Sequence, residues 1–220
     1  SSIEFDSRLI KKNDIFFGIN SNSRDGGLYA LDAIKNGAIL AIINNKQIVH
    51  KNIICIKDVE YFIKRFTNFL IKTYKGKVIA ISGSVGKTTT KENIFHILNN
   101  NQFRAFRSFK NYNNILGLQF SIMNLNLKSQ FAVFELGINA PLEMNSLIKI
   151  LQPHYALLTC VEDSHIGNFK NFSDLVSNKT KIFNSKRLIK GLLNIRDFLH
   201  PAGRGCSSWT ARGILPIYRL

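Results

Sequence analysis

The 220 residues predict an α/β protein: a small N-terminal α/β domain over residues 1–75, then a central phosphate-loop domain with a mostly parallel sheet, incomplete, over residues 76–196. Three observations carry this. Short apolar runs of strand type alternate with stretches of helical period. A glycine loop ending in Gly-Lys-Thr follows one of those runs directly. Composition is 45% hydrophobic, ample for packed cores in a chain of this length.

In the first domain, residues 30–36 read as a short helix stopped by Gly37, and residues 38–43 and 53–56 as strands of the buried type. Asp58 caps a helix in which Val59, Phe62, Ile63, Phe66, Phe69 and Leu70 recur at the helical period, ending near Gly76. The second domain opens with a strand over 77–81, passes through the loop into a helix over 87–99, and offers two further strands, 131–134 and 155–161. Helical patterns between them make a βαβ series, and ligands of such sheets bind beyond the carboxyl ends of the strands. Three polar groups fall there: the loop after Ile81, Glu135, and the run Glu162-Asp163-Ser164-His165.

Lys and Arg total 30 against 14 Asp and Glu, a formal charge of +16. The lysines are scattered, and a chain this rich in Ile, Lys, Asn and Phe is accounted for by an AT-biased genome. No nucleic-acid partner is expected; anionic small molecules suit the charge. No apolar run approaches the ~20 residues of a membrane span, and the first residues lack a basic stretch leading into an apolar one. Cys55, Cys160 and Cys206 are far apart, which excludes a thiolate zinc site of C-x-x-C type and indicates no disulfide framework. A soluble, monomeric, cytoplasmic protein is expected. Residues 197–220 contain neither Asn nor Lys and carry the only Trp, Trp209. This tail reads as another reading frame or a cloning junction, with a natural linker as the alternative.

The loop is Ile81-Ser-Gly-Ser-Val-Gly-Lys-Thr-Thr-Thr-Lys91. Gly83 and Gly86 let backbone N–H groups around Ser84 and Val85 converge at a helix N-terminus, where a polyphosphate meets a fixed partial positive charge. Lys87 adds a mobile cation for the β/γ-phosphates, and Thr88, followed by Thr89, offers a hydroxyl to Mg²⁺. These are the parts of an ATP site. Glu135, closing an apolar strand, suits a metal-ligating acid, and His165 an imidazole ligand or phosphate contact. Asn113 and Asn114, in Asn111-Tyr-Asn-Asn-Ile-Leu-Gly117, either form an Asn-rich turn or orient phosphate or metal-bound water.

Gly83–Lys91, Asn111–Gly117, Phe134-Glu-Leu-Gly-Ile-Asn139, Ser164-His165 and Asn178-Lys-Thr-Lys-Ile-Phe183 together resemble the Mur ligase family. Ser-Val-Gly-Lys-Thr-Thr-Thr-Lys is closest to the branch that acts on a UDP-muramoyl-tripeptide, and Ile81, standing where G-x-x-x-x-G-K-[ST] has its first glycine, is normal in the family. Phe5-Asp-Ser-Arg8, Asn13–Phe17, Asp25-Gly26 and Ala33–Ala38 are similar to the family's uridine-nucleotide-binding domain.

The resemblance implies an ATP-dependent ligase of peptidoglycan precursor synthesis that joins D-Ala-D-Ala to UDP-MurNAc-tripeptide through an acyl phosphate. By family pattern Thr88 and Glu135 hold one Mg²⁺. His165 and a CO₂-carbamylated Lys179 serve a second, and Lys87, His165 and Lys179 are the catalytic set. Gly83 to Thr89 with Asn113 and Asn114 bind the nucleotide, and Ser7, Arg8 and Asp25 bind the uridine diphosphate part. Nothing after Lys190 resembles the family's third domain. The expectation is a truncated ligase, with a non-catalytic remnant that only binds ATP or UDP-sugar peptide, or another P-loop NTPase, as alternatives.

Overall fold

The structure, a computed structural model, describes residues 2–20, 24–109, 112–162 and 166–193. Asn111, Ser164, His165 and the tail 197–220 lie outside the described residues. The chain divides into two compact units, Ser1–Leu70 and Ile71–Leu220.

The first unit is a four-stranded sheet in the order β1 (Ile3–Glu4), β2 (Ile15–Phe17), β3 (Leu40–Ile43), β4 (Ile53–Cys55). Every pairing is parallel, so each strand is reached by a crossover. One crossover carries α1 (Ala30–Lys35), whose Ala30 and Ala33 pack with Phe16, Ala41 and Ile43 in one buried cluster. Alanine on both sides of the contact lets the helix backbone come close to the sheet. The edge strand β4 corrects the reading of 53–56 as buried, since Ile54 and Cys55 are exposed.

Helix α2 (Val59–Thr73) begins where Asp58 accepts the Tyr61 N–H at 2.9 Å. Val59, Ile63 and Thr67 form its buried stripe at the i, i+4 spacing. Phe62 and Phe66 stack at 5.9 Å, and Phe62 continues onto Phe17 at 6.0 Å. Phe69, expected on the apolar face, is 62% exposed, so the buried stripe is narrower than the periodicity suggested.

The second unit runs β5 (Lys77–Ser82), α3 (Lys87–Asn100), β6 (Ala105–Arg107), α4 (Ile115–Met123), β7 (Phe131–Glu135), α5 (Glu143–Leu151), β8 (Tyr155–Leu158), α6 (Phe172–Thr180) and β9 (Lys190–Leu193). Its five strands lie in the order β6-β7-β5-β8-β9, all parallel. Central β5 is covered on both faces, which its unbroken apolar run requires: Val78 to Ser82 are all buried. Ile94 and Leu98 of α3 close one face over Ile79, Ile81 and Val133.

The predicted α/β class with mostly parallel sheets is the one observed. Strands β1 and β2 of the first unit and the edge strands β6 and β9 of the second were not anticipated, and the strand read over 155–161 ends at Leu158. The residues beyond Leu158 turn onto the loop after β5, where Cys160 forms an antiparallel bridge with Val85.

Candidate phosphate and metal site

The loop leaves the carboxyl end of β5 between the ends of β7 and β8. Gly83 (φ +149°) and Gly86 (φ +82°) occupy backbone regions that disfavour side chains, and a Cβ on Gly83 would strike the Thr159 hydroxyl. The carbonyls of residues 82–86 all have donors. Ser82 O accepts the Thr159 N–H at 2.8 Å, and Gly86 O accepts the Thr90 N–H at 2.9 Å. Gly83 O accepts Lys179 Nζ at 3.1 Å, Ser84 O accepts Lys87 Nζ at 2.8 Å, and Val85 O accepts the Thr159 hydroxyl at 2.6 Å.

Helix geometry leaves the first N–H groups of α3 without intrahelical partners, at the positive end of the helix dipole. A loop whose carbonyls are bound elsewhere and whose amides begin a helix is an anion site. Ser84 contributes differently from its neighbours. Its N–H donates to Cys160 O at 2.6 Å, and its hydroxyl pairs with both the Glu162 carbonyl and the Glu162 N–H at 3.0 Å. Its polar groups thus fasten the loop to the segment after β8.

Beside the loop, the Thr88 hydroxyl donates to Glu135 Oε2 at 2.7 Å, and Asn113 Nδ2 donates to Oε1 at 3.1 Å. The β5–β7 register, Ile81 opposite Glu135, brings the acid to the loop. Behind it lies Lys91, fully buried, with Nζ 3.9 Å from Glu135 Oε2 and 3.4 Å from Glu92 Oε1. Arg107 continues the alternation of charge, Nη1 to Glu92 Oε2 at 2.9 Å, with its guanidinium 4.2 Å from the Phe95 ring centroid.

Two lysines face this pocket of charge. Burial lowers the Lys87 pKa, and the Glu135 carboxylate partly opposes that. Lys179, only 2% exposed, is lowered to about 8 by burial and by the Lys87 charge. Among the described residues no group of three or more His, Cys, Asp or Glu could hold a metal ion alone. One carboxylate and one hydroxyl, both hard oxygen donors, nevertheless fit Mg²⁺, which keeps several waters and takes phosphate oxygens for the rest.

The structure therefore brings together Gly83, Ser84, Val85, Gly86, Lys87, Thr88, Asn113, Glu135 and Lys179, with Thr89 exposed in the first turn of α3. Asn114 serves as the N-cap of α4, its Oδ1 accepting the Gly117 N–H at 2.8 Å. Ser7, Arg8 and Asp25 belong to the first unit. There Arg8 grips Asp6 through Nε at 2.9 Å and Nη2 at 2.7 Å, while its side chain is otherwise largely exposed. Asp25 accepts the Gly27 N–H at 2.8 Å and Asn45 Nδ2 at 2.7 Å, and the Ser7 carbonyl accepts Asn36 Nδ2 at 2.9 Å.

Sequence reasoning did not single out Lys91 or Thr159. Lys91 had a legible signal, since i+3 from Thr88 and i+4 from Lys87 it shares their helix face; Thr159 had none.

Residues 81–199 match the family model of the Mur ligase middle domain. The chain is 33% identical over 185 residues to the UDP-N-acetylmuramoyl-tripeptide--D-alanyl-D-alanine ligase of Rickettsia prowazekii (strain Madrid E), covering 83% of this chain and 41% of that protein. To the protein of the same name from Buchnera aphidicola subsp. Baizongia pistaciae (strain Bp) it is 31% identical, over 83% of this chain and 40% of that one. A crystal structure of MurF from Acinetobacter baumannii superposes with a TM-score of 0.73 at 27% identity, covering 88% of this chain and 43% of that one. The chain thus spans about four-tenths of the length of the relatives it matches. The family match takes in more than half of the sequence, on the stretch that holds the loop and the ends of both flanking strands, and this chain belongs to the Mur ligase family.

Proposed function

We propose that the chain serves an ATP-dependent carboxylate–amine ligase of peptidoglycan precursor synthesis, one that joins D-Ala-D-Ala to a UDP-MurNAc-tripeptide. The observation that carries this reading is the Thr88–Glu135 contact at 2.7 Å beside a loop whose Lys87 is already folded over it. It is supported by the printed activity of the relatives from Rickettsia and Buchnera.

In this reading the loop amides and Lys87 bind the β/γ-phosphates and spread the charge of the phosphoryl group as it passes to the substrate carboxylate. Thr88 and Glu135 would hold Mg²⁺, which supplies charge neutralisation to the phosphates. The resulting acyl phosphate is attacked by the dipeptide amine, a step that requires positioning rather than a protein nucleophile. Asn113 fixes the rotamer of Glu135 from the side opposite Thr88. Lys179 is suited to carbamylation: burial and the Lys87 charge lower its pKa to about 8, so more of it is neutral, nucleophilic amine near neutral pH than for an ordinary lysine. His165 would join Lys179 at a second metal, and Ser7, Arg8 and Asp25 would meet the uridine diphosphate. We place the protein in the cytoplasm, where ATP is supplied, as a monomer.

Calorimetric titration of Mg-ATP and of UDP-MurNAc-tripeptide tests the proposal. Both should bind, and Lys87→Ala should abolish only the first. Binding of ATP without any binding of the UDP-peptide would point to a different P-loop protein and overturn the substrate assignment.

A further inference from the structure

We infer that Thr159 is a positioning residue for the phosphate loop, an inference that rests on the nucleotide reading of that loop. Its hydroxyl lies between two loop carbonyls, 2.6 Å from Val85 O and 3.1 Å from Ser82 O. Ser82 O already accepts the Thr159 main-chain N–H at 2.8 Å. The single hydroxyl proton therefore goes to Val85 O, the closer carbonyl. A trans peptide sets its C=O and the following N–H on opposite sides. Holding the Val85 carbonyl on Thr159 consequently directs the Gly86 N–H away from Thr159, and Gly86 is the left-handed residue at which α3 begins.

A second observation ties the same hydroxyl to the loop sequence. It occupies the space that a Cβ on Gly83 would need. The glycine and the threonine, far apart in the chain, are thus parts of one packing arrangement. The segment they share is bound at three further points: the Ser84 N–H on Cys160 O, the Ser84 hydroxyl on Glu162, and the Val85–Cys160 bridge. Those contacts use main chain of residues 160–162 and tolerate many side chains there. The Thr159 hydroxyl, by contrast, puts a side chain of this segment on loop carbonyls.

The test compares Thr159→Val, which keeps the shape and loses the hydroxyl, with Thr159→Ser, which keeps the hydroxyl. The full chain is measured by amide hydrogen exchange without nucleotide and by titration with Mg-ADP. In Thr159→Val the amides of residues 83–88 should exchange about tenfold faster while those of β5 and β7 are unchanged, and Mg-ADP affinity should fall about tenfold, as for one lost hydrogen bond. Thr159→Ser should stay within about twofold of the parent on both readings. Unchanged exchange in Thr159→Val, or equal losses in both variants, overturns the assignment. An original chain that binds no Mg-ADP sinks the nucleotide reading instead, and the exchange comparison still decides whether Thr159 holds the loop.

Discussion

The Thr88 hydroxyl and the Glu135 carboxylate, 47 residues apart in sequence, meet at 2.7 Å where α3 begins and β7 ends. Glu135 is 2% exposed, so this acid is presented by a strand buried on both faces and has little freedom to choose another partner. Glu135→Gln keeps the shape and removes the charge. The Mg²⁺-dependent part of nucleotide affinity should disappear, while the weaker binding of metal-free ATP stays within a few fold. Titrations with and without EDTA measure the two parts; an unchanged Mg²⁺ effect would remove Glu135 from the metal site.

Lys87 carries its charge in a half-buried setting that lowers its pKa. Burying an ammonium there opposes folding, so the residue is retained for what it binds. Lys87→Ala should lose about 100-fold or more in ATP affinity with a thermal midpoint equal to or above that of the parent. Differential scanning fluorimetry alongside calorimetry separates the two effects.

Lys91 should behave in the opposite way. It is fully buried between Glu135 and Glu92, and removing one member of a buried charge cluster leaves the others uncompensated. Lys91→Met should destabilise the second unit by about 3 kcal/mol in urea denaturation. Pairing it with Glu92→Gln should recover part of that loss, since only one of the two carboxylates that faced the ammonium then keeps its charge.

His154 sets a pH limit on the same unit. Its Nδ1 accepts the Val78 N–H at 3.0 Å and Arg187 Nη2 lies 2.8 Å from Nε2. Burial, then Arg187 and Lys77, lower its pKa from 6.5 to about 4. The unfolded chain therefore takes up the proton first as pH falls. Stability from this residue is full above pH 6.5 and is lost progressively down to about pH 4, by up to about 3 kcal/mol. His154→Gln should flatten the pH dependence of unfolding free energy across that window; an unchanged slope would refute the linkage.

Much of the site was legible because its parts are local. Gly83 through Thr89 is one contiguous motif, and Glu135 was placed by the rule that acids at strand ends face the ligand side of a parallel sheet. The roles of Ser84 and Thr159 were not legible, since they depend on where the chain goes after Leu158 and no periodicity reports a departure from a sheet. Edge strands β6 and β9 escaped for a related reason. Three residues with Arg107 among them, and four that include Lys190 and Gly191, are strands only because β7 and β8 offer free edges. The exposure of Phe69 shows the converse, a helical period that continues past the surface able to cover it.

The carbonyls of the loop are bound from α3, from the segment after β8, and from α6, through partners 74 and 96 residues along the chain. Its shape consequently cannot exist in a partly folded second unit: it arises only after β8 has docked and α6 has closed. A ligand of the loop recognises the completed fold, so its affinity is thermodynamically linked to global unfolding as well as to opening of the loop. Saturation with nucleotide should therefore raise the free energy of global unfolding, read in elements as far along the chain as α6, whose Lys179 holds the loop.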